Sequence, residues 1–128
     1  MTAINPENWP RPKGYSNGIL AEGRILAVAG QIGWNEKGQF VSDDFLAQAT
    51  QALRNVVAVV RAAGGAPANI VRLTWYVVDK REYIAVGREL GAAYKEILES
   101  HYPAMSLVVV AALLEDRARV EIEATAVL

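Results

Sequence analysis

Two carboxylates, Glu121 and Glu123, stand two residues apart in the run Val120-Glu121-Ile122-Glu123-Ala124. On a β-strand that spacing puts both acids on one face and turns Val120, Ile122 and Ala124 toward a core. A carboxylate held beside an apolar cleft is suited to general-base work, such as drawing a proton from an attacking water. The same pattern also suits a sheet face that sets charges against Arg117 or Arg119. Tyr15 offers a phenolic hydroxyl in a loop next to Gly14, where it could close over a ligand or simply pack. Gly30, followed by Gln31, ends an apolar run and would let a ligand approach the backbone, or merely turn the chain. Trp34, just beyond, reads as an interface residue. His101 is the single histidine and cysteine is absent, so a multi-histidine metal site within one chain, disulfides and thiol nucleophiles are excluded. No metal is expected.

These groups need a scaffold, and 128 residues with 52% hydrophobic content are enough for one domain with a real core. Thirteen basic against 14 acidic residues leave a net charge of −1 and no basic run, so nucleic acid is not expected as a partner. No segment approaches the ~20 apolar residues of a membrane span, and the first residues are polar and proline-rich rather than signal-like. No membrane association and a soluble, cytoplasmic protein are the expectation.

Residues 1–13, with Pro6, Pro10 and Pro12, read as an extended arm ahead of a single domain over 14–128. Asn17–Ala21 and Arg24–Ala29 read as two strands joined hairpin-fashion at Glu22-Gly23. Ser42, Asp43 or Asp44 can cap a helix carrying Phe45, Leu46, Ala49, Leu53, Val56, Val57 and Val60 on one face, stopped by Gly64-Gly65 and Pro67. Ile70–Val78 is a β-branched and aromatic strand. Asp79 with Glu82 resembles a capping box for a second helix, which buries Tyr83, Ile84, Leu90, Tyr94, Ile97 and Leu98 and ends before Pro103. His101 closes that helix, where its charge suits the dipole, and takes no catalytic role. Met105–Leu113 and Arg117–Val127, turning at Glu115-Asp116, are the last strands. The order β-β-α-β-α-β-β predicts an α+β single domain, a mixed sheet with two helices on one face. Ile25–Ala29 and Leu107–Leu114 are apolar at both alternating positions, so the face without helices also calls for cover. Another copy of the chain is the expected cover.

Several segments together resemble the Rid family (reactive intermediate deaminase, or YjgF-like). Gly14-Tyr15-Ser16-Asn17-Gly18 is similar to its Gly-Pro-Tyr-Ser segment, and Ala29-Gly30-Gln31 to its Ser-Gly-Gln. Gln48–Val56 matches its first-helix pattern and Ala62-Ala63-Gly64 the end of that helix, while Pro103-Ala104 and Val120–Ala124 complete the set. The resemblance implies a chorismate-mutase-like fold assembled as a homotrimer, with small-molecule clefts between subunits. In deaminating members those clefts hydrolyse reactive enamines and imines, such as 2-aminoacrylate and 2-iminopropanoate, to keto acids and ammonia without a cofactor. An arginine after Pro-Ala holds the substrate carboxylate, and the first glutamate of Glu-Ile-Glu helps to position the water. Carried over by motif, Glu121 is the catalytic position, and Tyr15, Gly30 and Gln31 line the cleft.

Three cleft positions depart from that pattern. Met105 stands where the deaminating members carry arginine, Gly87 where the second helix often presents asparagine, and Leu107 where a polar residue or cysteine is usual. Methionine offers polarizable bulk but no donor and no charge. The expected ligand is therefore neutral or apolar at that point, or presents its carboxylate differently, as an aminomuconate-type intermediate could. Arg72, Arg117 or Arg119 could restore a positive charge, although surface pairing accounts for each as well. The alternative is a non-catalytic module that senses or sequesters a metabolite in the same cleft. A third reading, endoribonuclease or translation inhibitor, finds no basic stripe and no histidine pair to support it.

Overall fold

Val120, Ile122, Ala124 and Ala126 are all buried and alternate with half-buried partners, which makes Val120–Val127 the spine of the sheet. The computed structural model describes residues 1–128. Its elements are β1 (Thr2–Ile4), β2 (Gly18–Leu20), β3 (Ile25–Gln31), α1 (Phe45–Ala62), β4 (Ile70–Val77), α2 (Lys80–Ala85), α3 (Gly87–Ile97), β5 (Ala104–Val109) and β6 (Val120–Val127), with a 3-10 turn over Pro67–Asn69. The main sheet runs β3-β6-β4-β5, antiparallel except for the parallel β4–β5 pair. Helices cover one face, α1 lying over β6 and β3 with α3 packed beside it. The core between them includes Val56, Val60, Leu73, Trp75 and Ile122. This is the expected α+β arrangement. The helix-free face is left open within the chain, with Ile25 77% and Val108 44% exposed on it.

Several local expectations are corrected. The first concerns the hairpin, which does not form: β2 pairs with β1, and β3 pairs with β6. Gly23, at φ 145°, is required for another reason, since a Cβ there would sit 2.5 Å from the Leu128 carbonyl oxygen. Arg24 and Leu128 exchange both backbone hydrogen bonds at 2.8 Å, so the C-terminus takes the place a hairpin partner would have had. The segment read as an arm is fastened at its start by the β1–β2 pairing.

The second helix is two helices, broken at Val86 (φ −113°, ψ 22°). The break shifts the helical phase, and Ile84, expected in the core, is 67% exposed. Asp79 caps α2 by accepting from the Arg81 N–H, and hydrogen bonding to Arg81 holds its carboxyl down at about 2. No reciprocal box forms, because the Glu82 side chain is engaged by Arg119. The run after α3 leaves the helix through positive φ at Glu99 and Ser100, well before Pro103, and His101 Nε2 lies 2.6 Å from the Ile70 carbonyl at the head of β4. Strand β5 ends at Val109 and β6 begins at Val120, so Leu113 and Arg117 lie in the connection, where Leu114 is almost fully exposed.

Candidate functional site

Two concave sites collect the candidate residues, and they lie on opposite faces of the sheet. The first is a cleft of about 340 Å³ between α2–α3 and the β4–β5 side of the sheet. Met105 is in register with Leu73, and both point to the helix-covered side. Trp75 joins Met105 in the cleft wall, while Tyr83 and Ile84 come from α2 and Gly87, Leu90, Gly91 and Tyr94 from α3. Lys13, Gly14, Tyr15 and Tyr102 close the remaining side. Trp75 meets Tyr83 edge-on at 5.9 Å, and Tyr94 stacks on Tyr102 at 6.0 Å, so the wall is a fixed aromatic surface.

Buried Ser16 holds the Tyr15 loop in place. Its Oγ donates to the Tyr102 carbonyl at 2.7 Å and its N–H to the Pro103 carbonyl at 3.1 Å, which forms an isolated parallel bridge to Ala104. In the sequence Ser16 stands out only as a small hydroxyl residue after Gly14-Tyr15. Leu107 does not line the cleft. It sits in register with Trp75 and packs against the core.

Two polar groups of the wall, Trp75 Nε1 and the Tyr94 hydroxyl, are buried with no hydrogen-bond partner in the chain. Burial raises the Tyr94 pKa, so the hydroxyl remains neutral and able to donate. The α3 residues Gly87 and Gly91 leave room: a Cβ at either would meet nothing within 4 Å. Gly91→Ala should therefore raise stability by about 0.5–1 kcal/mol, the usual gain of alanine over glycine inside a helix. Thermal unfolding would check this. A loss of stability would mean that Gly91 is needed for backbone reasons.

The second site, about 330 Å³, opens on the helix-free face and is lined by Gly30, Gln31, Ile32, Trp34, Asn55, Leu114, Glu115 and Glu121. The β3–β6 register slips between Val28 and Gln31, a bulge that carries Gly30 against the Glu121 side chain. A Cβ on Gly30 would lie 2.7 Å from the Glu121 carboxylate, so only glycine lets that carboxylate rest here. The loop beyond is tied to α1 by Asn55, whose Nδ2 donates to the carbonyls of Ile32 and Trp34 at 3.2 and 2.7 Å. Asn55 had no role in the sequence reading. Gln31 folds back, Nε2 donating to the Ala29 carbonyl at 3.0 Å. Trp34 stands edge-on to Phe40 at 5.8 Å.

Glu123 shares the Glu121 face but accepts a 2.6 Å hydrogen bond from the Tyr76 hydroxyl, whose pKa rises chiefly through that bond. It is occupied structurally. Arg117 pairs with Asp43 and Arg119 with Glu82, and neither they nor Arg72 line the Met105 cleft. Tyr15, Gly87 and Met105 are thus brought together on one face, and Gly30, Gln31 and Glu121 on the other. Within a single chain β4 and its neighbours separate the two groups. No group of three or more histidine, cysteine or acidic residues could hold a metal ion, and no helix is long and apolar enough to cross a membrane.

Residues 8–128 match the family model described as endoribonuclease L-PSP. The chain is 40% identical over 124 residues to a RutC family protein of Haemophilus influenzae, covering 97% of this chain and 95% of that one. It is 39% identical over 128 residues to the 2-iminobutanoate/2-iminopropanoate deaminase of Escherichia coli strain K12, with 97% and 95% covered. Among solved structures, the Rid family protein YyfB of Yersinia pestis superposes with a TM-score of 0.84 at 39% identity, covering 99% of this chain and 98% of that one. Escherichia coli TdcF with bound serine gives 0.73 at 30% identity, with coverage of 100% and 99%.

Proposed function

Since the chain belongs to the endoribonuclease L-PSP family, the YjgF or Rid proteins, we propose that it acts as an imine or enamine hydrolase whose cleft is completed between neighbouring subunits of a homotrimer. One observation carries this reading: each half-site is chemically incomplete where it stands. The aromatic cleft around Met105 has no acidic residue, while the other hollow holds Glu115 and Glu121 but lacks an aromatic wall beyond Trp34. They lie on opposite faces of one sheet, so only a second copy can set one against the other. The open sheet face, with exposed Ile25 and Val108, provides surface for that association. The deaminase names of the relatives point to the same reaction class.

In the completed cleft a substrate C=N would lie over the aromatic wall with its carbon toward Glu121. Glu121 takes a proton from water as the oxygen adds to that carbon, giving a tetrahedral amino alcohol. That first proton goes to nitrogen to complete the amino alcohol; Glu121 then takes the hydroxyl proton and returns it to nitrogen as the C–N bond breaks, so ammonia leaves behind a carbonyl group. Bond making and breaking balance with water alone, so the chemistry requires no cofactor. Met105 gives no charged grip on a carboxylate at the cleft floor, which favours substrates apolar at that point.

Imines released from amino acids by an amino-acid oxidase test the proposal directly. Shortened imine lifetime in the presence of the protein is expected for at least one of them, and no acceleration at high protein concentration would overturn the reading. Met105→Arg should add the missing fork. Removing one partner of such a buried pair costs about 2–5 kcal/mol, and supplying it should raise 2-iminopropanoate hydrolysis at least tenfold in kcat/KM. No gain would implicate Gly87 in the altered specificity. The second reading, a non-catalytic metabolite-binding or sensing module, draws on Met105 and Gly87, since each removes a polar contact from the cleft. Ligand binding without turnover of any imine would favour it.

A further inference from the structure

We propose that Lys13 is the cation of the Met105 cleft, and that the ligand carries an anionic end at the Lys13 rim and a flat aromatic or conjugated body on the cleft wall. The proposal deepens the reading of this cleft as a small-molecule site and does not depend on turnover. Within one chain Lys13 is the only charged residue lining the cleft, and no acidic residue of the same chain lines it. Four cations of the chain are engaged in ion pairs, Arg61, Arg81, Arg117 and Arg119; Lys13 is not among them. Its side chain is exposed, so its charge stands in water at the mouth rather than in the wall.

Its position is held from nearby. Gly14, at φ 78°, turns the chain directly after Lys13, and Ser16 pins the next turn to the Tyr102 and Pro103 carbonyls. A lysine on a flexible stem is a point charge that can meet a carboxylate at several angles, unlike the bidentate fork of arginine. Met105 on the wall and Lys13 on the rim therefore make the deep part of the cleft apolar and its outer part cationic. The deep part also suits a ring. Trp75, Tyr83 and Tyr94 present aromatic surface, and Gly87 and Gly91 leave the α3 side open where larger residues would fill it.

The test uses the intact protein with three stable probes that contain no C=N bond: 3-phenylpropanoate, 3-phenylpropanamide and propanoate, with affinities measured by calorimetry. For the wild type, 3-phenylpropanoate should bind at least tenfold more tightly than propanoate, because the ring buries apolar area. It should also bind about three- to fivefold more tightly than its amide, the scale of an exposed ion pair. That second difference should vanish at high salt. Lys13→Gln should weaken the acid about three- to fivefold and leave the amide unchanged, while Lys13→Arg restores the acid. Unchanged acid binding in Lys13→Gln, equal affinity for acid and amide in the wild type, or no detectable binding of 3-phenylpropanoate would each overturn the proposal. Since none of the probes can be hydrolysed as an imine, failure of the hydrolase reading would leave these outcomes standing. Imine turnover with no effect of Lys13→Gln on acid binding would overturn the Lys13 proposal and leave the hydrolase reading standing.

Discussion

Replacing Gln48 by leucine should destabilise the protein by about 3 kcal/mol, because buried hydrogen-bonding groups lose their partner at a cost of roughly 1–3 kcal/mol each. Gln48 is fully buried on α1 and meets three backbone groups. Its Nε2 donates to the Ser42 carbonyl at 2.9 Å and to the Arg117 carbonyl at 3.0 Å, and its Oε1 accepts from the Arg119 N–H at 2.8 Å. One side chain thus joins the start of α1 to the segment leading into β6, two residues before Glu121. Leucine fills similar volume but satisfies none of the three. Gly33 shows how closely the site is packed, since a Cβ there would lie 2.7–2.9 Å from Gln48 atoms. Urea unfolding would measure the loss as a lower midpoint at unchanged slope. A change below about 1 kcal/mol would mean that water or relaxation replaces the network.

Glu121→Gln should lower kcat for imine hydrolysis by about a hundred- to ten-thousandfold, the usual contribution of a general base. The amide keeps the size and hydrogen-bonding shape of the acid but cannot take the water's proton. Glu121 is half-buried and makes no ion pair, so the variant should fold normally. Glu123→Gln is the control. That side chain shares the face but is bonded to the Tyr76 hydroxyl, and activity should stay within a few-fold of wild type. Retention of activity within tenfold by Glu121→Gln would remove Glu121 from the catalytic role and leave backbone groups to orient the water.

Periodicity made most of the fold legible. The buried face of α1, the alternation in β6 and the apolar run of β4 follow from local pattern, and each is where that pattern puts it. Asp44 caps α1 through the Ala47 N–H, one of the three caps its sequence offered. The hairpin failed because strand pairing is non-local: the turn signal at Glu22-Gly23 could not reveal that the C-terminus would occupy the neighbouring position. The break at Val86 was equally hidden, since no proline marks it and the apolar spacing tolerates one irregular residue.

The site divides along the same line. By itself, the sequence singled out the candidate residues: a strand acid at Glu121, a glycine at position 30, a tyrosine loop, and a methionine where the resembled family carries arginine. Side-chain identity and strand alternation are local properties, so one chain of letters suffices for them. Only the tertiary structure decided their grouping, with Met105, Tyr15 and Gly87 on the helix side and Glu121, Gly30 and Gln31 on the open face. It also brought Lys13, distant in sequence from every other cleft residue except its loop neighbours, to the mouth beside Met105. Both results come from the sheet order β3-β6-β4-β5 and the side each strand turns toward the helices, which depend on long-range pairing that no local pattern encodes.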